Sequence, residues 1–350
     1  MPHTTPADYP PEIAPARLAA HVLQTTAVGC RVAILGLPDD TGVRLNAGRP
    51  GARAGPAAFR AAFARFGIAQ PHGWSWPRIF DAGDVVPAPG DTEAALLETH
   101  ERVRAATRAL LELNVFPIAI GGGHDLTLPF LGTCLDHAAE RAAADSPARP
   151  PATRGVVNID AHLDVREQVG SGMAFRGLVE RHHVRELCIV GFEPLVNSRE
   201  HVEWFLAHGG RVHEQVPSGQ YQRGQSSCTP AAHEPRAASS TGSSTRSVAP
   251  SLRSDVLGVS FDLDALDAAH APGVSAINPA GLGVREAGEL VRELGRDARV
   301  HCFDIMELSP PHDDPPGGTP ASRTARAAVY LFLSFLRGFA ERTPDAATLT

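Results

Sequence analysis

The sequence has no lysine; all 32 of its Lys+Arg residues are arginine. That excludes Schiff-base chemistry on a lysine and the lysine of a phosphate-binding loop. Cysteine is scarce and scattered. Cys30, Cys134, Cys188, Cys228 and Cys302 are odd in number and show no C-x-x-C spacing. Neither a disulfide framework nor a thiolate zinc site fits, and a reducing cytoplasm is the expected compartment. No basic stripe accompanies the net charge of −7, so nucleic acid is not an expected partner. No basic start followed by an apolar core marks a signal peptide. The longest apolar run near the end, residues 329–336, is too short to span a bilayer, so no membrane partner is expected.

What is present suits a globular α/β protein: 350 residues, 43% of them hydrophobic. Strand-like apolar runs at 31–37, 79–80, 115–120, 156–159, 187–190, 256–261 and 299–303 alternate with helical patterns. The helices are expected at 56–66, 92–113, after 124 through 131, after 172 to about 182, and at 198–208, 285–294 and 322–338. Such alternation implies a mainly parallel sheet covered on both faces. Residues 1–28 read as a flexible, proline-rich lead-in with one short helix near 16–23. Residues 29–342 read as a single domain and 343–350 as a tail. The stretch 214–253 is rich in Ser, Thr, Gly, Pro and Gln, and reads as a disordered insertion.

The chemistry is concentrated at 155–166, GVVNIDAHLDVR. A short apolar run gives way to Asp160, His162 and Asp164, spaced two apart so that an extended backbone points them one way. Carboxylates at the end of a buried strand are costly unless a positive charge holds them. Two other strand-like runs end alike, one in Gly121-Gly122-Gly123-His124 and one in Asp262 and Asp264. In open α/β sheets ligands gather beyond the carboxyl ends of strands. Four carboxylates and two neutral imidazoles carry a charge of −4, which two divalent ions balance. Such a pair lowers the pKa of a bridging water and gives a hydroxide nucleophile near neutral pH. Hard oxygen and nitrogen donors without sulfur favour Mn2+ over zinc, with Fe2+, Co2+ and Zn2+ left open.

Over residues 36–326, outside the insertion, the chain resembles the ureohydrolases: arginase, agmatinase and formimidoylglutamase. The resemblance implies a three-layer α/β/α fold and hydrolysis of a C–N bond in a guanidino or amidine group. It implies that His124 and Asp164 hold one manganese, that His162 and Asp264 hold the other, and that Asp160 and Asp262 bridge, giving two Mn2+ per subunit of a homo-oligomer. Residues 160–166 (DAHLDVR) and 171–176 (SGMAFR) look most like formimidoylglutamase, whose stretches read approximately DAHLDLR and SGTPFR. The runs GVRLNAGRPGARAGPAAFR, EPLVNS and APGVSAINPAGLG support the same likeness. Arginases have a histidine shuttle where this chain has Phe175, which counts against arginase.

The expected activity is therefore hydrolysis of a small amidine, N-formimidoyl-L-glutamate, to L-glutamate and formamide. The alternatives are an agmatinase or other guanidino-acid ureohydrolase, or a metal-binding scaffold without turnover. Asp164 is the candidate for passing a proton to the leaving amine. Glu307 matches the family's acidic residue for the substrate's cationic nitrogen. Arg166 is a candidate for the substrate carboxylate, with a structural salt bridge as the alternative. Ser171 reads as a substrate contact or a loop cap. Asn158 reads as a plain strand residue, and Asp125 as a helix starter or a prop for His124. Arg323 and Arg326 read as serving structure or subunit contacts, and Cys302 as a buried core thiol.

Overall fold

Continuous apolar runs make the strands. In the computed structural model, which describes residues 1–67, 69, 75–213 and 252–342, all six residues of VAILGL at 32–37 are buried. In chain order the elements are β1 (Thr4–Thr5), α1 (Ala19–Val22), β2 (Leu23–Gln24), β3 (Val32–Leu37), α2 (Thr41–Leu45) and α3 (Gly55–Phe63). Next come β4 (Ile79–Val85), α4 (Glu93–Glu112), β5 (Phe116–Gly121), α5 (Thr127–Asp145), β6 (Arg154–Ile159) and α6 (Ala174–His182). The remainder is β7 (Val184–Val190), α7 (Arg199–Ala207), β8 (Gly210–His213), β9 (Val256–Asp262), α8 (Val284–Arg296), β10 (Val300–Met306) and α9 (Arg323–Ala340).

The strands form one sheet in the order β1-β4-β3-β5-β10-β9-β6-β7-β8, with β2 also paired to β4. Every pairing is parallel except that of β1 with β4. A parallel sheet must be covered on both faces, and it is. One apolar cluster joins the sheet to α1, α3, α8 and α9; the other joins it to α4, α5, α6 and α7. Helix starts follow local chemistry. Thr92 caps α4 by accepting from the Ala95 amide at 3.2 Å, and Ser198 caps α7 by accepting from the His201 amide at 3.2 Å. The architecture is the expected three-layer α/β/α.

Three expectations differ. Residues 1–28 are not a free lead-in: Thr4 and Thr5 pair with Val85 and Asp84, the Tyr9 hydroxyl donates to Asp81 at 2.7 Å, and Leu18, Ala19 and Val22 are in the core. With β1, β2 and β3 all pairing to it, β4 runs seven residues rather than the short strand expected. Of the segment read as an insertion, Leu252 is buried and the Arg253 amide donates to Glu186 at 2.9 Å, so those two residues belong to the domain. Residues 214–251 and the tail 343–350 lie outside the described residues. Among the described residues no helix is long and apolar enough to cross a membrane.

Candidate metal centre

Four neighbouring strands, β5, β10, β9 and β6, deliver the site from their carboxyl ends. His124 follows β5, Glu307 follows β10, Asp262 closes β9 with Asp264 beyond it, and Asp160, His162 and Asp164 follow β6. The chain leaves β5 and returns at β6 three positions across the sheet; β9 and β10 fill the gap later. Loops part at such a reversal and leave a crevice.

Local hydrogen bonds explain the two-residue spacing. Asp160 Oδ1 accepts the His162 amide at 2.7 Å, and Asp262 Oδ1 accepts the Asp264 amide at 2.8 Å. Each is a side-chain turn that holds the next donor residue in place. The glycine run before His124 is dictated by close approach. A Cβ on Gly122 would lie 1.8 Å from the Asp39 carbonyl oxygen and 2.7 Å from that of Leu37. Only glycine lets the two loops meet there.

The side chains form two groups with ligand atoms within 4.8 Å of one another: His124, Asp160, Asp164 and Asp262, and Asp160, His162 and Asp264. His124 Nδ1 lies 2.9 Å from Asp164 Oδ2, 3.1 Å from Asp262 Oδ2 and 3.2 Å from Asp160 Oδ2. His162 Nδ1 lies 3.0 Å from Asp264 Oδ2 and 3.5 Å from Asp160 Oδ1. Asp160 belongs to both groups, as the expectation of a bridging carboxylate requires. Asp262 falls in the first group only, and its Oδ1 accepts the Asp264 amide.

These residues fit a pair of divalent cations. Buried His124 Nδ1 has no hydrogen-bond partner although three carboxylates crowd it, and Asp264 Oδ1 is buried without one while its Oδ2 faces the His162 imidazole. Atoms so placed around a common point, yet not aligned to bond each other, suit a cation between them. Without one the charges are frustrated. Burial, then its neighbours Asp264 and Asp160, raise the Asp262 carboxyl well above its usual range. Burial pushes Asp264 up to about 7. Burial opposes charge on His162, yet Asp264 and Asp160 push its imidazole up to about 12.

A sign follows for cation uptake. Ligation needs neutral imidazole and ionised carboxylate, so binding must expel the protons that His162 and Asp264 hold. Affinity for a divalent cation is expected to rise with pH between about 6 and 8, by up to about tenfold per unit for each proton displaced. Calorimetric titration in buffers of differing ionisation enthalpy reads the protons released; pH-independent binding without release contradicts it.

Supporting residues complete the crevice. Asp164 and Glu307 hold positive φ, 49° and 65°, at a cost of about 1–2 kcal/mol each. The Phe175 amide donates to the Asp164 carbonyl at 3.0 Å, and the Glu307 amide donates to that of Gly122 at 2.9 Å. The Phe175 ring meets the His124 ring edge-on at 5.4 Å. Glu307 Oε1 accepts the His124 amide at 2.9 Å, while Oε2 is buried without a partner. Burial, then Asp262, push this carboxyl up to about 8, against a pull from the Ser275 hydroxyl.

Arg166 is exposed, and among the described residues it has no ion pair. Its amide donates to the Gly172 carbonyl at 2.8 Å, which sets it beside Ser171. Ser171 is pinned by Asn46, whose amide oxygen accepts from the Ser171 hydroxyl at 2.9 Å and from the Gly172 amide at 2.9 Å. Asp125 starts the turn into α5 and bonds His100 at 2.8 Å. Arg323 bonds Asp314 and the Ala269 carbonyl, and Arg326 stacks on Phe66. Cys302 is fully buried in the core.

Sequence reasoning missed several residues. Asn158 is more than a strand residue: its amide donates to Asp160 Oδ2 at 3.1 Å. Asn197, inside EPLVNS, accepts the Leu163 amide at 3.0 Å and donates to the Ala161 carbonyl at 2.8 Å, stapling the ligand loop. Behind His124 stand Ser260, Asp304 and Thr127, all buried. A polar residue inside an otherwise apolar strand was the one available signal for Ser260 and Asp304.

Known proteins agree with this geometry. Residues 30–337 match the arginase family model. The chain is 32% identical over 311 residues to the formimidoylglutamase of Geobacillus thermodenitrificans, covering 87% of this chain and 84% of the relative. It is 32% identical over 328 residues to that of Aromatoleum aromaticum, covering 90% and 85%. The crystal structure of Trypanosoma cruzi formiminoglutamase with Mn2+2 superposes with a TM-score of 0.71 at 27% identity, over 93% of this chain and 99% of that one. Matched by the family model over residues 30–337 and by these relatives over nearly its whole length, the chain belongs to the arginase family.

Proposed function

We propose that the protein hydrolyses N-formimidoyl-L-glutamate to L-glutamate and formamide, using two Mn2+ per subunit held by His124, Asp160, His162, Asp164, Asp262 and Asp264. The observation that carries the reading is the pair of donor groups joined by Asp160. The names of the similar enzymes supply the substrate. When bound, the cations supply a water of lowered pKa as nucleophile and Lewis acidity toward the amidine carbon.

The chain's own residues do the rest. Glu307 offers Oε2, a buried acceptor lacking a donor, to the amidine N–H. A protonated amidine placed there lets that carboxylate ionise, so substrate and site neutralise each other. Asp164 is the most accessible of the four carboxylates, its side chain 13% exposed against 4% or less for the others. It receives the proton lost by the attacking water and delivers it to the departing amine of glutamate as the C–N bond breaks. Phe175 occupies the loop beside His124 and excludes water from it. An amidine carbon is more electrophilic than a resonance-stabilised guanidinium carbon, so no histidine shuttle is needed there. Arg166 and Ser171 read the glutamate carboxylate, which agmatine lacks.

Manganese-loaded protein incubated with formimidoylglutamate, agmatine and arginine tests this. Formamide from the first alone is expected; urea from either of the others in its place overturns the substrate. In the same assay Arg166→Ala is expected to raise KM about 10- to 100-fold, the worth of a charge-assisted hydrogen bond, with kcat little changed. An unchanged KM removes Arg166 from recognition.

A further inference from the structure

We propose that Arg49 is a specificity-determining residue that binds the side-chain carboxylate of the substrate, while Arg166 takes the carboxylate beside the scissile nitrogen. The proposal rests on the formimidoylglutamate reading above, whose substrate carries two carboxylates. The crevice loops 39–54 and 160–173 contain four arginines: Arg44, Arg49, Arg53 and Arg166. Two of them are already neutralised. Arg44 and Arg53 share Asp40, at 3.2 and 2.7 Å, and Asp91, at 3.6 and 3.3 Å. Arg49 and Arg166 are exposed and, among the described residues, have no carboxylate partner. The unspent guanidiniums match the substrate's carboxylates in number.

Arg49 is held ready for a ligand. Its Nε donates to the Ser275 carbonyl at 3.1 Å and its Nη2 to the Val274 carbonyl at 2.6 Å. Carbonyls orient a guanidinium without cancelling its charge. They leave the Nη1–Nη2 edge open, and that edge can grip a carboxylate with two parallel bonds. The backbone on either side is fixed as well. The Gly48 amide donates to the Val43 carbonyl at 2.9 Å, and the Gly51 amide donates to Asp40 at 2.6 Å. Position follows from the neighbours. Ser275, whose carbonyl Arg49 holds, bonds through its hydroxyl to Glu307, the residue assigned to the amidine. Asn46, on the same loop as Arg49, is bonded to Ser171, beside Arg166. A step of three residues spans at most about 11 Å, so both guanidiniums border one crevice. The α-carboxylate sits on the carbon that bears the scissile nitrogen, which Asp164 protonates, and Arg166 follows Asp164 on the same loop. That leaves the side-chain carboxylate for Arg49.

The test is steady-state kinetics of manganese-loaded, full-length protein on three amidines. They are N-formimidoyl-L-glutamate, N-formimidoyl-L-2-aminobutyrate, which lacks the side-chain carboxylate, and N-formimidoyl-4-aminobutyrate, which lacks the α-carboxylate. The parent is expected to lose about 10- to 100-fold in kcat/KM on either deletion, the worth of one charge-assisted pair. Arg49→Gln keeps a donor for the Ser275 carbonyl and removes the charge. It is expected to raise KM about 10- to 100-fold for formimidoylglutamate and for the 4-aminobutyrate derivative, and to leave the 2-aminobutyrate derivative at its parental value. A merely structural arginine would weaken all three alike, and that result overturns the proposal. So does a variant that spares the 4-aminobutyrate derivative, or one with no change in KM. Equal kcat/KM in the parent for formimidoylglutamate and the 2-aminobutyrate derivative overturns it without any variant. A parent that hydrolyses none of the three overturns the proposed function itself, a separate outcome.

Discussion

Asp160→Ala is expected to remove both cation positions at once and to lower turnover by at least about a thousandfold, the scale seen when one member of a set acting as a unit is deleted. The reason is geometric. Asp160 is the one residue present in both donor groups, with Oδ2 facing His124 and Oδ1 facing His162. Its Oδ1 also accepts the His162 amide, so its loss frees the loop that carries His162 and Asp164. Asp264→Ala, by contrast, strips only the second group, and is expected to leave one Mn2+ bound. Counting bound manganese in the two purified variants decides the matter. An Asp160→Ala protein that still holds one ion at parental affinity would show that the positions are independent.

Glu307→Gln is expected to lower kcat/KM for formimidoylglutamate by about 100- to 1000-fold, the cost of losing one preorganised electrostatic partner, with both Mn2+ still bound. The glutamine oxygen can still accept the His124 amide, as Glu307 Oε1 does at 2.9 Å, so the loop should stay in place. What changes is Oε2, the buried oxygen without a partner. An amide nitrogen in its place presents a donor to a substrate nitrogen that is itself a donor. The sign with pH also changes. In metal-free protein burial and Asp262 hold the Glu307 carboxyl up to about 8, and bound cations must bring it down. If ionised Glu307 is the form that binds the amidine, the parent loses kcat/KM on the acid side where this group regains its proton. The variant has no such group and should lose that limb. An unchanged kcat/KM would exclude Glu307 from the substrate.

The candidate donors stood out in the sequence because each announces itself locally. An apolar run that stops at D-x-H-x-D or at D-x-D carries both the strand and its reason for ending there. The residues that hold those donors were not legible, because their partners are remote. Ser260 and Asp304 are 44 positions apart and become neighbours only through the pairing of β9 with β10. Asn46 meets Ser171 across 125 positions, and Asn197 reaches back 34 to Leu163. The first strands escaped notice for a different reason: with two residues each, β1 and β2 are too short to show any periodicity. Their existence depends on an edge of β4 that needs covering.

The placement of β9 and β10 between β5 and β6 bears on how the protein is made. Four of the six donor residues emerge from the ribosome before β9 does, yet the strands carrying them have no common neighbour until the final third of the polypeptide arrives. The two donor groups therefore close only with the finished sheet, and no shorter stretch of the chain brings the four carboxylates together.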